Sequence, residues 1–523
     1  MQVIESVSKR RGAPATALLR ASCVALFVCL TGCGGGSGGS AADASPDPGT
    51  TPAPASLVIG TPLSIDGGAS GNPVDLRVMR SANGDGFAVW QANRPEDDAF
   101  PSLLWASRYR AATGTWSSPV NIATGSMGRG EAVVLPSGGR AFDLTVDANG
   151  NAVVAWVKYA GEPDRLGVVM SARFDASTGA WSPPVLLNDN GTAPRLASDA
   201  TGAVLVVYMA APAPSSPPDL NSRIKGRFLD PASGAWQAET LIEQNHLADT
   251  SSTFTPQAAL DGSGNALVAF GTGIQPSSFV DQTLASNYYS RTAGTWGGLP
   301  AEDPGLFGVV PGTGRGVVLY LQVVATTDGN FLAAWQENLE SGGREVAVAR
   351  FASRTRKWTA KQTLIPADLG VWLQRIGSDA SGNVHLMWTH WNGTRQVLKA
   401  TRLGPDDDSC GAVQTIDQAV GGWAAHGAGL AVDARGDAIA IWDRVDPDGL
   451  PDSPRNIAIN HFDRAAGAWG RAVLVEGQTT SRAVHLPSAS VSGGQALLGW
   501  LQPEGDVNRV KVLLQPLASP PGQ

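Results

Sequence analysis

Apolar and polar positions along the chain recur as a block rather than as one helical or strand period. Eight times a glycine is followed, six residues later, by a large aromatic, with mostly apolar residues between. The pairs are Gly84 and Trp90, Gly150 and Trp156, Gly202 and Tyr208, Gly264 and Phe270, Gly329 and Trp335, Gly382 and Trp388, Gly436 and Trp442, and Gly494 and Trp500. Nine residues before the aromatic stands Asp147, Asp199, Asp261, Asp379 or Asp433 in five copies, and Ser81, Thr326 or Val491 in the others. An aspartate that can accept the N–H groups of its own turn, followed by a glycine free to adopt left-handed backbone, is hairpin chemistry, so a strand enters and leaves each turn. The outgoing strand, as in AVVAW or AIAIW, is apolar on both faces and has to be covered on both sides.

After each of these strands comes a second β pattern, such as GVVMSARFD or RNIAINHFD, then a short turn and a tryptophan. Trp116, Trp181, Trp236, Trp296, Trp358 and Trp469 hold equivalent places, and Cys410 takes the tryptophan's place in the sixth copy. The unit is therefore four strands in about 57 residues, and tandem four-stranded units are propeller blades. The last unit stops after its third strand (508–516), while residues 57–66 form an orphan strand in which Ile59-Gly60-Thr61-Pro62 matches Trp116-Ser117-Ser118-Pro119. The expected fold is all-β: an eight-bladed propeller over 57–516, closed by its N-terminal strand, with a short tail at 517–523. Seven blades is the main alternative and an open solenoid a further one. Closure removes the free edges that an open stack exposes.

Two segments carry a resemblance. The turn running from Phe174-Asp175 to Trp181, and from Phe462-Asp463 to Trp469, resembles a loosened Asp-box, the hairpin between the third and fourth blade strands of sialidase-like propellers. At the N-terminus, Lys9, Arg10, Arg11 and Arg20 precede the uncharged run 21–31, too short to span a bilayer, which ends in Leu30-Thr31-Gly32-Cys33. This is similar to a bacterial lipoprotein signal. The resemblance implies cleavage after residue 32, lipidation of Cys33 and, with Gly34 rather than aspartate following, an outer-membrane destination. Residues 33–56 read as a Gly/Ser/Pro-rich tether.

Composition narrows the choice of partner. Net charge is −8, and the leader takes four positive charges and only Glu5 with it, so a phosphate-binding nucleic-acid protein is disfavoured. Of the four cysteines, Cys23 and Cys29 leave with the leader and Cys33 is lipidated, so Cys410 has no partner for an intramolecular disulfide. Twelve of the 16 tryptophans occupy repeat positions and read as packing between blades.

Candidate chemistry gathers at one end of the ring. Four residues before the turn aspartate, near the mouth of each innermost strand, stand Arg77, Asp143, Arg195, Gln257, Gln322, Arg375, Gly429 and Pro487. Three arginines there could hold an anion by bidentate hydrogen bonds, similar to the arginine triad with which sialidases grip a carboxylate. No tyrosine nucleophile with its glutamate is assignable, no F/Y-R-I-P motif precedes the first blade, and eight blades do not match six. Trp372, Trp391, Trp423 and His426 fall in connecting segments, where aromatic faces could stack on sugar rings or pack at the rim. The connections between blades and between second and third strands are long, for example 123–142, 243–256, 301–321 and 443–455, and function concentrates on such loops. No zinc or nucleotide motif appears. Asp443, Asp446, Asp448 and Asp452 offer oxygen ligands for calcium, but a solvated proline-rich loop is the simpler reading. The favoured reading is a lipid-anchored, cofactor-free binding or scaffold module for an envelope protein or a glycan. A glycoside hydrolase or lyase using loop carboxylates such as Glu131, Glu302 or Asp303 is the alternative, and a structural role in a surface assembly a third.

Overall fold

The computed structural model describes residues 57–517, less 69–70, 94–101, 128–140, 159–166, 200, 212–222, 244–250, 275–281, 298–309, 314–315, 340–341, 369, 408–410, 419–422, 446–454 and 476–484. The leader, Cys33, the tether, Glu131, Glu302, Asp303, Cys410, Asp446, Asp448 and Asp452 lie outside the described residues.

Eight antiparallel blades are present. Their innermost strands are Asn72–Arg80, Phe142–Val146, Gly191–Ser198, Ser251–Leu260, Gly316–Ala325, Val371–Ser378, Trp423–Val432 and His485–Ser492. Each pairs with the glycine-to-aromatic strand that follows it, and that strand pairs with the third. Each innermost strand also touches the innermost strands of both neighbouring blades, right round the ring. On the outer edge of the third strands sit two-residue strands such as Ala180–Trp181 or Ala468–Trp469, and in the first, second, fifth and seventh blades a further segment, Val120–Met127, Val185–Asn188, Gln362–Asp368 or Val473–Leu474, pairs with the same third strand. Closure comes from the N-terminal segment: Leu63 and Ser64 pair with Val512 and Lys511 on the eighth blade's third strand. Ile65 N–H donates to the Val510 carbonyl, Gln515 bonds Gly60 N–H and the Val58 carbonyl, and Asp66 pairs with Arg509.

The core lies between blades. A buried cluster fills each of the eight interfaces: Phe87 and Leu104 of the first blade meet Phe142, Trp156 and Phe174 of the second, and Leu497 and Val512 of the eighth meet Leu76 and Trp90 of the first. Trp90, Trp335, Trp442 and Trp500 are fully buried, as the two-sided apolar pattern requires. In the third blade the aromatic is Tyr208, whose hydroxyl is satisfied by Glu239 Oε2 at 2.7 Å. Outer tryptophans lie edge-on against the preceding aromatic, Trp181 on Phe174 and Phe87, Trp469 on Phe462.

The aspartate turns do more than reverse the chain. In all five, Oδ1 accepts two N–H groups of its own turn, for instance those of Asn149 and Asn151 on Asp147. The turn glycine adopts left-handed backbone and also faces the preceding blade's turn: a Cβ on Gly436 (φ +96°) would stand 2.8 Å from Asp379 Oδ2. The residue after the glycine ties the hairpin to the next turn, with Asn151 Oδ1 accepting Ala176 N–H and Asn265 Oδ1 accepting Arg291 N–H. One end of the propeller is thus a ring of short, mutually braced turns.

One repeat position breaks the apolar rule. Three residues before the aromatic the copies carry Phe87, Val153, Leu205, Leu267, Leu332, Ile439 and Leu497, but the sixth carries His385. That imidazole is fully buried, lies edge-on to Phe462 at 4.6 Å, and has no hydrogen-bond partner on either nitrogen. Burial first, and the charge of Arg402 second, push its pKa down to about 4, with Asp379 opposing. The folded protein refuses a proton that the unfolded chain accepts below about pH 6.5, so stability present at neutral pH is lost on acidification, about 3 kcal/mol by pH 4. His385→Leu is expected to flatten this acid limb and to stabilise the fold at pH 7. Urea denaturation at pH 7 and 4.5 reads it, and a variant with the wild-type difference between the two pH values would contradict it.

Candidate functional site

Antiparallel geometry puts the braced aspartate turns at one end of the ring and the connections from second to third strands, and from blade to blade, at the other. At that second end, β-bulges interrupt the innermost strands just before the mouth positions, between Thr192 and Arg195, Phe254 and Gln257, Leu319 and Gln322, and Leu373 and Arg375. A bulge re-aims the side chain that follows it. Within two of them Ala193 and Tyr320 hold left-handed backbone at φ 52° and 51°, a conformation costing an ordinary residue roughly 1–2 kcal/mol.

The mouth residues form two groups. In the first, Arg77 Nη2 lies 3.2 Å from Asp143 Oδ1. Asp143 also accepts Leu144 N–H and, across the blade boundary, Leu196 N–H, both at 3.0 Å. Arg195 donates to the Pro194 carbonyl at 2.8 Å. Burial lowers the Arg195 pKa from its usual range; Asp143 opposes this, Arg77 adds to it and Asp75 opposes it. In the second group, Gln322 Oε1 accepts Ile376 N–H at 3.0 Å, its amide donates to the Gln374 carbonyl, and Arg375 donates to that same carbonyl at 2.7 Å. These side chains clamp neighbouring blades together. The three arginines come from the first, third and sixth blades: Arg77 and Arg195 gather around Asp143, and Arg375 belongs to the glutamine group. Gln257 is half-buried just past its bulge. Gly429 offers no side chain, and a Cβ there would meet the Pro487 carbonyl at 3.2 Å.

Beyond the mouth, the fifth and sixth blades carry the polar chemistry. Glu337 is fully buried at the end of the fifth blade's second strand, directly across from Glu345. Lys361 Nζ reaches Glu337 Oε2 at 2.7 Å and Glu345 Oε1 at 2.5 Å. Burial acts to lower the Lys361 pKa, but the hydrogen bonds to the two carboxylates prevail and raise it. Nearby, the Arg344 guanidinium lies 4.6 Å above the half-buried ring of Trp372, and His390 Nε2 is 3.1 Å from Asp368 Oδ2. Trp391 is exposed. Trp423 and His426 sit on the seventh blade's innermost strand, with side chains outside the described residues. Asp443 is buried on its strand, and among the described residues no group of three or more His, Cys, Asp or Glu side chains could hold a metal ion.

Repeat alignment marked the mouth positions but missed Lys361, Glu337 and Glu345. The signal was there: Glu337 and Glu345 flank one hairpin in WQENLESGGREV, at strand ends where a buried charge needs a counter-ion.

The chain is an eight-bladed, four-stranded β-propeller. No protein-family model matches it, and no curated protein does. Among solved structures it is similar to the Dos1 propeller (10% identity, 89% of this chain and 96% of that one, TM-score 0.47). It is also similar to an ulvan lyase from a new family of polysaccharide lyases (14% identity, 81% and 96%, TM-score 0.45) and to the Hadza microbial sialidase Hz136 (12% identity, 88% and 96%, TM-score 0.37). Chemistry does not transfer at such identities.

Proposed function

We propose that the protein is a lipid-anchored, extracytoplasmic binding module of the bacterial outer membrane, held by Cys33 on its tether, which engages a glycan or envelope protein through its long-connection face. The supporting observation is the unlike construction of the two ends. One is closed by turns that bond to themselves and to their neighbours. The other carries the strained bulges, the mouth arginines and the exposed Trp391. Glu337 and Glu345, a directly opposed pair of buried carboxylates at that end, are both held by Lys361, which suits scaffolding more than acid–base exchange.

Capture of envelope components from detergent extract tests this reading. Binding is expected to weaken when Arg77, Arg195 and Arg375 are changed to Ala together, and unchanged capture would remove the mouth from the proposal. Shortened saccharide products released on incubation would move the reading to a glycoside hydrolase or lyase. The anchor has a separate test: Cys33→Ser is expected to free the protein from washed membranes, and continued membrane association would contradict lipidation.

A further inference from the structure

His385 and His461 lie on opposite flanks of the seventh blade. Side chains alternate between the two faces of a strand, and in a propeller each face meets a neighbouring blade. On the sixth blade, His385 shares the side of Met387, which packs in the cluster common to the sixth and seventh blades, and its ring lies edge-on to Phe462 of the seventh at 4.6 Å. On the seventh blade, His461 stands directly across from Ile439 and on the same side as Ile457 and Ile459. Those three isoleucines share a buried cluster with Leu498 and Trp500 of the eighth blade. His385 is fully buried and His461 is 4% exposed; neither His385 nitrogen has a hydrogen-bond partner, and nor has His461 Nε2.

The same cross-strand position in other blades shows what is unusual here. Phe87 faces Arg108 in the first blade, Val153 faces Arg173 in the second and Leu332 faces Arg350 in the fifth, each an apolar residue opposite a permanent cation. An arginine is long enough to carry its charge to a partner, as Arg108 does to Asp85 and Arg350 to the Gly404 and Asp407 carbonyls. In the sixth blade the apolar member is His385, opposite Arg402, and in the seventh the arginine is His461. An imidazole has no such reach, so a proton placed on it stays between blades. Burial is the largest influence on both rings and holds their pKa values below the usual histidine range. Around His385, Arg402 adds to this and Asp379 opposes it; around His461, Asp437, Asp463 and Asp433 oppose it. Two of those carboxylates, Asp433 and Asp437, already face Arg435.

We infer that the seventh blade is an acid-sensitive sector of the ring, released from both neighbours when His385 and His461 take up protons while the other blades stay packed. An opened blade exposes imidazoles that bind protons below about pH 6.5, and the closed blade refuses one at His385 down to about pH 4, so closure is complete at neutral pH and weakens on acidification. At pH 4.5 His385 alone favours opening by about fiftyfold over pH 7. The blade's innermost strand, Trp423–Val432, contributes Gly429 to the mouth, so the sector includes part of the proposed binding end. Hydrogen exchange of the full chain, followed by mass spectrometry at pH 7 and 4.5 and corrected for the pH dependence of chemical exchange, tests it. Strands Ala438–Val445 and Arg455–Asp463 are expected to lose protection on the order of tenfold more than Val204–Ala210 and Ala266–Ile274 of the third and fourth blades. His385→Leu combined with His461→Gln should bring the seventh blade's loss down to theirs. If the double variant is unprotected already at pH 7, His385→Leu alone decides, with a smaller acid loss than wild type expected. Even loss of protection round the wild-type ring, or a variant that keeps the seventh blade's full acid loss, would overturn the inference.

Discussion

Lys361→Met destabilises the protein by about 3–5 kcal/mol, the range measured when one partner of a buried ion pair is removed. Glu337 is fully buried and Glu345 nearly so, on directly opposed strand positions, and Lys361 is the cation bonded to both. Without it two carboxylates confront each other away from water. A second substitution discriminates this from loss of the lysine's packing. Glu337→Gln combined with Lys361→Met is expected to recover a large part of the loss, because one of the two stranded charges is gone. Equilibrium urea denaturation of both variants is the measurement. If the single variant lies within 1 kcal/mol of wild type, the triad is not holding the fifth blade together.

Deleting residues 57–66 is the other large effect. The segment is the eighth blade's fourth strand, and its loss removes Ile65 from the core, the Gln515 bonds and the Arg509–Asp66 pair. Burial of one isoleucine contributes about 1.5–3 kcal/mol and each hydrogen bond about 1 kcal/mol, so a loss of about 4 kcal/mol is expected. The third strand Val507–Pro516 would then present an unpaired edge, which templates association between chains. Size-exclusion chromatography should show dimers or larger species, together with a lower thermal midpoint. A monomer with the wild-type midpoint would mean that the ring holds without its closing strand.

What could be read in advance follows from what repeats. The eight-fold glycine-to-aromatic block and the orphan strand at 57–66 were enough for the blade count and the closure, because two-sided apolar strands and aspartate turns have few structural solutions. The arginines were assigned to the mouth on the same logic, but their partners were not legible. Asp143 reaches Arg77 and Leu196 in blades on either side, and Gln322 reaches Ile376 one blade on, contacts that depend on ring geometry. The turn glycines were read as conformational devices, and their second role, making room for the preceding blade's turn, also lies between blades. The exposure of Trp391 is a property of the assembled sheet, and its sequence neighbourhood does not set it apart from Trp372 or Trp423. Lys361, Glu337 and Glu345 were missed because they occur in one blade, where comparing copies cancels what is unique.

The central claim is that binding belongs to the long-connection end of the ring and not to the aspartate-turn end. It is tested by shielding each end in turn. In a Cys410→Ser background, a polyethylene glycol chain is attached at Thr394→Cys on the long-connection end or at Ser177→Cys on the exposed turn at the opposite end, and capture of envelope components is compared. Shielding at 394 should abolish capture while shielding at 177 leaves it intact; loss of capture from the 177 conjugate, with the 394 conjugate unaffected, would contradict the account.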